Sequence, residues 1–149
     1  MYDVVRFLHV LLGAVWIGGV MYAEALIATS GREGREAYAR QLIKTQANAG
    51  RIYPLIVPLI AVSAIYLIID GGWDWGALWI SVSFGIWLLG MVMGITYFSP
   101  RAKRFEAQLA EGGVTDALHA EVRSLHMVAR VEIIVLAVLL AMMIWQPGT

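Results

Sequence analysis

The chain has no cysteine. That absence excludes disulfides, thiolate metal sites, cysteine nucleophiles and c-type haem attachment within it. Charge is also scarce. Only 15% of the 149 residues are Asp, Glu, Lys or Arg against 60% apolar, where soluble domains usually carry about a quarter charged residues. So little polar surface would not cover a water-facing globule of this size. The 11 basic and 11 acidic residues balance, so no net charge argues for nucleic acid as a partner. Histidine occurs only three times, which makes His9, His119 and His126 worth placing one by one.

Long apolar runs are abundant instead, and mean hydropathy is +0.71. Four runs, about 4–29, 52–69, 76–98 and 128–145, reach spanning length. A helix needs about 20 mostly apolar residues to cross a hydrocarbon layer about 30 Å thick. Strands of a membrane barrel would alternate in polarity, and these runs are continuous. The expected fold is an all-α membrane protein, a four-transmembrane-helix bundle in the lipid bilayer, with residues 1–149 as one unit. The first run carries signal-peptide features in Arg6, Ala25, Ala28 and Ser30. Its apolar stretch is longer than the roughly 7–15 residues of a signal core, so it reads as a retained helix.

The basic residues give a direction. Arg32, Arg35, Arg40, Lys44 and Arg51 lie between the first two runs. Arg101, Lys103, Arg104, Arg123 and Arg130 lie between the last two or open the fourth, while "DGGWDWG" between the middle two has none. Basic loops stay cytoplasmic, so both termini are expected outside in a bacterial inner membrane. Trp73, Trp75, Trp79 and Trp145 then sit at the outer boundary, where aromatic rings favour the headgroup level. Arg6 points the other way and is outvoted.

The links have helical character. Gly31 and Gly34 are expected to end helix 1, and residues 35–48 read as helix running into helix 2. Pro54 and Pro58 are expected to kink helix 2. After Pro100 the chain reads helical up to "EGG" at 111–113. Thr115 is an N-cap for a final helix that begins outside the membrane and stops at Pro147. Small residues at a spacing of four, Gly90–Gly94 and Ser81–Gly85 on helix 3 and Ala137–Ala141 on helix 4, fit close helix packing. That packing serves either the bundle itself or a homodimer or larger membrane complex.

Polar groups inside a span are costly and favour functional roles. His9 sits near the outer end of helix 1, and at 100° per residue Gly13 and Trp16 fall near its direction. One reading is an axial ligand to haem b, or a metal ligand, with the flat group beside Gly13 and Trp16. The blander reading is a neutral histidine bonded to a carbonyl or serine, such as Ser81 or Ser83. His119 and His126 lie about 20 Å or more away in depth, given the thickness of the hydrocarbon core, and cannot share an iron with His9. A second ligand would come from the outer half, with Met142 first, then Met143 or Tyr66. Met91 and Met93 diverge by about 200° on a helix and do not chelate one ion.

Toward the inner end, His119, Arg123, His126 and Arg130 form a stripe on one helix face. It reads as a basic face meeting anionic headgroups, or as a surface for an anionic group. Glu24, Arg51, His126, Arg130 and Glu132 share a depth and form a candidate inner-leaflet charge cluster, with Glu24–Arg51 the simplest ion pair. The sharper use of Glu24 or Glu132 is to hold a proton, since buried carboxyls tend to.

The pattern His9–x6–Trp16–x–Gly18–Gly19–x2–Tyr22 resembles a group of small bacterial membrane proteins. The group includes copper-resistance D membrane domains, a family of unassigned function and HemJ-type protoporphyrinogen oxidases. "RIYPLIVPLI" is similar to the start of their second helix, and "VEIIVLAVLLAMMIWQP" to their last. The resemblance implies a four-helix unit and, from the oxidase, a first-helix histidine ligating haem b at the position of His9. The oxidase also has a basic residue late in helix 1 and a histidine early in helix 3. The corresponding stretches here, "AEALIAT" and "ALWISVS", have neither. The expected function is therefore a non-enzymatic or auxiliary redox or electron-transfer component binding haem b or a metal through His9. The alternatives are a cofactor-free structural or assembly subunit and, third, a haem-pathway oxidase.

Overall fold

The computed structural model describes residues 1–147. Its elements are α1 (Tyr2–Glu33), α2 (Arg35–Asp70), α3 (Leu78–Met93), a π-helical stretch (Gly94–Phe98), α4 (Ser99–Gly112) and α5 (Asp116–Trp145). The π stretch joins α3 to α4 without a break, so the chain forms four long rods. All four are long and apolar enough to cross a membrane. In the most apolar window of α1 only 6% of residues are buried, and in those of the third rod and α5 only 11%. Val4, Phe7, Leu55, Val62 and Ile134 are among the large apolar side chains more than half exposed. A bundle in water would hide such groups. Here they form the surface that lipid covers, and the protein is a four-helix transmembrane bundle.

The rods outreach the bilayer. At 1.5 Å per residue the 32 residues of α1 and 36 of α2 extend about 48 and 54 Å, against a hydrocarbon core of about 30 Å. The surplus gathers at the end rich in arginine, called here the basic end. There Ile27 of α1, Leu42 and Ile43 of α2, Phe105 of α4 and Leu118, Val122 and Leu125 of α5 close a core. A second cluster in the middle holds Trp16, Val57, Ile60, Leu136 and Leu139. At the opposite, tryptophan end, Ile68, Ala77 and Ile80 pack with Trp73 and Trp79.

Local chemistry sets the boundaries. Gly31 stays inside α1, and the break falls at Gly34, whose φ of 128° suits a residue without Cβ. Pro54 and Pro58 lie within α2, which stays helical through both. Neither supplies an N–H to the helix ladder. α5 starts where the Thr115 hydroxyl oxygen accepts from the Leu118 N–H at 3.2 Å, as an N-cap should.

Because α1 and α2 form a hairpin, their contacts run in opposite directions along the two helices. His9 meets Ser63, and Gly19, ten residues on, meets Tyr53, ten residues back. A Cβ at Gly19 would lie 2.9 Å from the Tyr53 hydroxyl oxygen, so glycine is what admits that ring. On α3 the small-residue pattern does something other than join backbones. A Cβ at Gly90 would lie 3.6 Å from the Trp16 ring, while Cβ positions at Gly85 and Gly94 meet nothing within 4 Å.

Phe105 is 1% exposed at the centre of the basic-end core. Replacing it with Ala removes a fully buried ring, a change that costs about 3–5 kcal/mol. Denaturant unfolding in detergent should show a loss of that size. A loss no larger than that of an exposed control such as Glu106→Ala would contradict this core.

Candidate functional site

His9 is half-buried on α1 and faces α2. Its Nδ1 lies 2.9 Å from the Ser63 hydroxyl oxygen and 3.2 Å from the Ile60 carbonyl oxygen. The Ser63 hydroxyl donates its one proton to that same carbonyl, at 2.9 Å. A carbonyl only accepts, and the serine proton is engaged, so the proton on this side of the ring belongs to His9 Nδ1. The ring is thus the Nδ1–H tautomer, and the Nε2 lone pair is left for another partner.

Some 15 residues along α1, about 22 Å away at the helical rise, Glu24 anchors a second network. The His126 Nε2–H of α5 donates to Glu24 Oε2 at 2.5 Å. Arg130, one turn further on, reaches Glu24 Oε1 with its Nε at 2.8 Å and its Nη2 at 2.7 Å. On the far side of the imidazole, the Tyr38 hydroxyl of α2 is hydrogen-bonded to His126 Nδ1 at 2.8 Å. Burial, outweighing Arg130 and Arg123, holds that hydroxyl above the usual tyrosine range, which keeps its proton in place. Side-chain exposure falls from 55% at Arg130 through 26% at Glu24 to 7% at His126. The arginine reaches polar surroundings while the imidazole is sealed in.

Next to this network lies a cavity of about 310 Å³. Trp16, Tyr53, Met91 and Phe98 are among the residues that line it, as are Glu24 and His126. Pro54 and Pro58 line it from α2, and Gly94, Ile95 and Phe98 bring the π stretch to it. Such wide turns recur at functional sites. Glu132, on α5, also lines the cavity, and among the described residues it has no hydrogen bond or ion pair.

The expected residues are therefore sorted differently from their order along the chain. Glu24, His126 and Arg130 come together in direct contact. Arg51 does not join them: it is exposed, and its nearest polar partner is Asn48 at 3.5 Å. The Glu24–Arg51 pair is thus replaced by Glu24 with Arg130 and His126, because α5 rather than α2 faces that side of α1. The stripe on α5 also splits, since His126 turns inward while Arg123 stays exposed. His119 lies beyond the apolar part of α5. Burial, then Arg35 and Arg123, hold its imidazole below the usual histidine range.

At the other site, Trp16 is 3% exposed, its ring packed toward Gly90 in the core. It borders the Glu132 cavity, which neither His9 nor Gly13 lines. A Cβ at Gly13 would meet nothing within 4 Å, so that position is open. Met142 is half-buried near the end of α5. Ser81 and Ser83 do not bond His9: Ser81 reaches the Trp75 carbonyl at 3.5 Å, and the Ser83 hydroxyl is buried without a partner. Tyr38, Ser63 and the Ile60 carbonyl were not among the expected site groups. The hairpin register brings Ser63 within one helical turn of the level of His9, since it lies 29 residues past Gly34 and His9 25 before it.

No protein-family model matches the chain, and no curated protein and no solved structure matches it. What the site does rests on its own geometry.

Hydrogen bonds to a charged group are worth about 1.5–3 kcal/mol each. Glu24→Ala should therefore lower unfolding stability by about that much or more. A double-mutant cycle with Arg130→Ala should give coupling near the lower end of that range, because the guanidinium is half exposed. Strict additivity of the two changes would contradict the contact.

Proposed function

We propose that this protein is an auxiliary redox component of the bacterial inner membrane that holds haem b, or a metal ion, through His9. One observation supports the reading above the others. The Ile60 carbonyl and Ser63 hold the imidazole from its Nδ1 side, and an outer partner of that kind is what orients a metal-binding histidine and leaves Nε2 as the ligand atom. A porphyrin already supplies most of the iron's donors, so a single imidazole suffices to attach it. A bare ion needs more, and among the described residues no three His, Asp or Glu side chains gather. The open position at Gly13, one turn from His9, leaves room on that face. Trp16, turned into the core, would not stack on the group, while Met142 remains the outer-half candidate for a second ligand. When bound, haem supplies one-electron transfer. The chain's own contribution is to fix the tautomer and direction of the ring. Basic loops on the cytoplasmic side would put His9 in the outer half with both termini outside.

A second reading, a cofactor-free assembly subunit or homodimer, has its own support. The third rod exposes Leu88, Leu89 and Val92 on the same face as the unfilled position at Gly85. Small-residue notches of this kind seat a neighbouring helix. A haem-pathway oxidase is the third reading and shares the need for His9.

The optical spectrum of detergent-purified protein decides between the first two. A Soret band is expected, abolished by His9→Ala. Ser63→Ala should keep the band and weaken haem retention by about 10–100-fold, the usual effect of losing such an outer partner. Absence of both haem and metal, or a band unchanged by His9→Ala, would contradict the reading.

A further inference from the structure

We propose that the cavity between α1, α2, the π stretch and α5 binds a small amphipathic organic cation, with Glu132 as its counter-ion. The ligand class is a protonated amine or quaternary ammonium carried on an apolar body. The proposal is independent of the haem reading, since His9 does not line this cavity.

Three observations carry it. The first is size: about 310 Å³ falls at the small end of pockets that take organic ligands, about 300–1,000 Å³. The second is the wall. The aromatic residues Trp16, Tyr53 and Phe98 and the thioether residue Met91 are among those that line it, beside the polar Thr45, Gln46 and Ser99, and aromatic faces attract cations most where water is excluded. Pro54 and Pro58 lack N–H groups, so they add no donors to the α2 side.

The third observation is charge. Glu24 also lines the cavity, but both of its oxygens are occupied, by His126 and by Arg130. Glu132 has no such partner among the described residues, and no Lys or Arg lines the cavity. An anion entering here would meet a carboxyl and no free positive group. A neutral lipophile would fill the space and leave Glu132 unanswered. A bound cation matches the rings and favours the ionised form of Glu132, offsetting the cost of holding a carboxylate at membrane depth. The Tyr53 hydroxyl, nested against Gly19, is a further polar group on the wall.

The test uses the full chain in lipid nanodiscs and labelled benzyltrimethylammonium as probe. Its uncharged carbon isostere, neopentylbenzene, serves as competitor. Saturable binding is expected. Glu132→Gln, nearly isosteric, should weaken it at least tenfold, and Glu132→Asp should weaken it less. Ala129→Phe, which fills the cavity from α5, should abolish binding. Asp70→Asn, an exposed carboxylate at the tryptophan end of α2, should leave it unchanged. Gel filtration and circular dichroism establish folding, and if Ala129→Phe fails to fold, Glu132→Gln alone decides. No saturable binding, equal binding by Glu132→Gln, or displacement by neopentylbenzene as strong as by unlabelled cation would each overturn the proposal. The last result would mark the cavity as a site for neutral lipophiles. None of these results depends on whether a Soret band is present.

Discussion

A polar side chain inside a bilayer has no water to turn to, so its partner must come from another part of the protein. α1 carries two such groups along its apolar length, and each is answered by a different helix. His9 is held by α2 through Ser63 and the Ile60 carbonyl, and Glu24 by α5 through His126 and Arg130. The helix otherwise buries only Trp16 and Ile27 fully. Its outer face is lipid-directed and does little to fix rotation or depth. Two polar anchors some 22 Å apart, with the Trp16 ring and the Gly19–Tyr53 contact between them, therefore set where α1 sits. The walls of the Glu132 cavity follow from that placement.

The architecture was legible because run length and hydropathy have few competing explanations. A run of 20 apolar residues has little to do but span. The Thr115 cap and the helical stretch opening at Arg35 were equally readable, since both rest on local chemistry. Contacts between helices were less so. The Glu24–Arg51 pair looked natural from depth alone, yet Arg51 turns to the surface and the true partners lie more than a hundred positions along the chain. Depth gives one coordinate, and the rotation of each helix, set by packing, gives the other. Ser63 was missed for the same reason: reflection through Gly34 sets His9 opposite residue 59, and the partner lies one helical turn further on. Tyr38 gave no local signal, because its role arises only where α5 crosses the extramembrane start of α2. Trp16 lay near the direction of His9 by helical periodicity, but the notch at Gly90 draws its ring into the core.

The two sites differ in chemistry and in level. Toward the tryptophan end, one imidazole is fixed by backbone and hydroxyl, with a lone pair to offer. Toward the basic end, a saturated network of tyrosine, histidine, glutamate and arginine stands beside a cavity holding one unmatched carboxyl. α2 is a wall of both: Ser63 and Ile60 serve the first, and Tyr53, Pro54 and Val57 line the second. The Val57 carbonyl also accepts from the Trp87 indole N–H at 2.9 Å, tying α3 to the same helix. A ligand that shifted α2 would thus be felt at both levels.

The central claim, that α1 is positioned by a fixed tautomer at each level, is open to one direct measurement. Nitrogen-15 and proton spectra of histidine-labelled protein resolve which ring nitrogen carries hydrogen, and three histidines make assignment tractable. His9 should appear as the neutral Nδ1–H form. His126 should show a strongly downfield Nε2 proton that disappears in Glu24→Gln. Averaged imidazole signals at both positions, or a His126 spectrum indifferent to Glu24, would contradict the account.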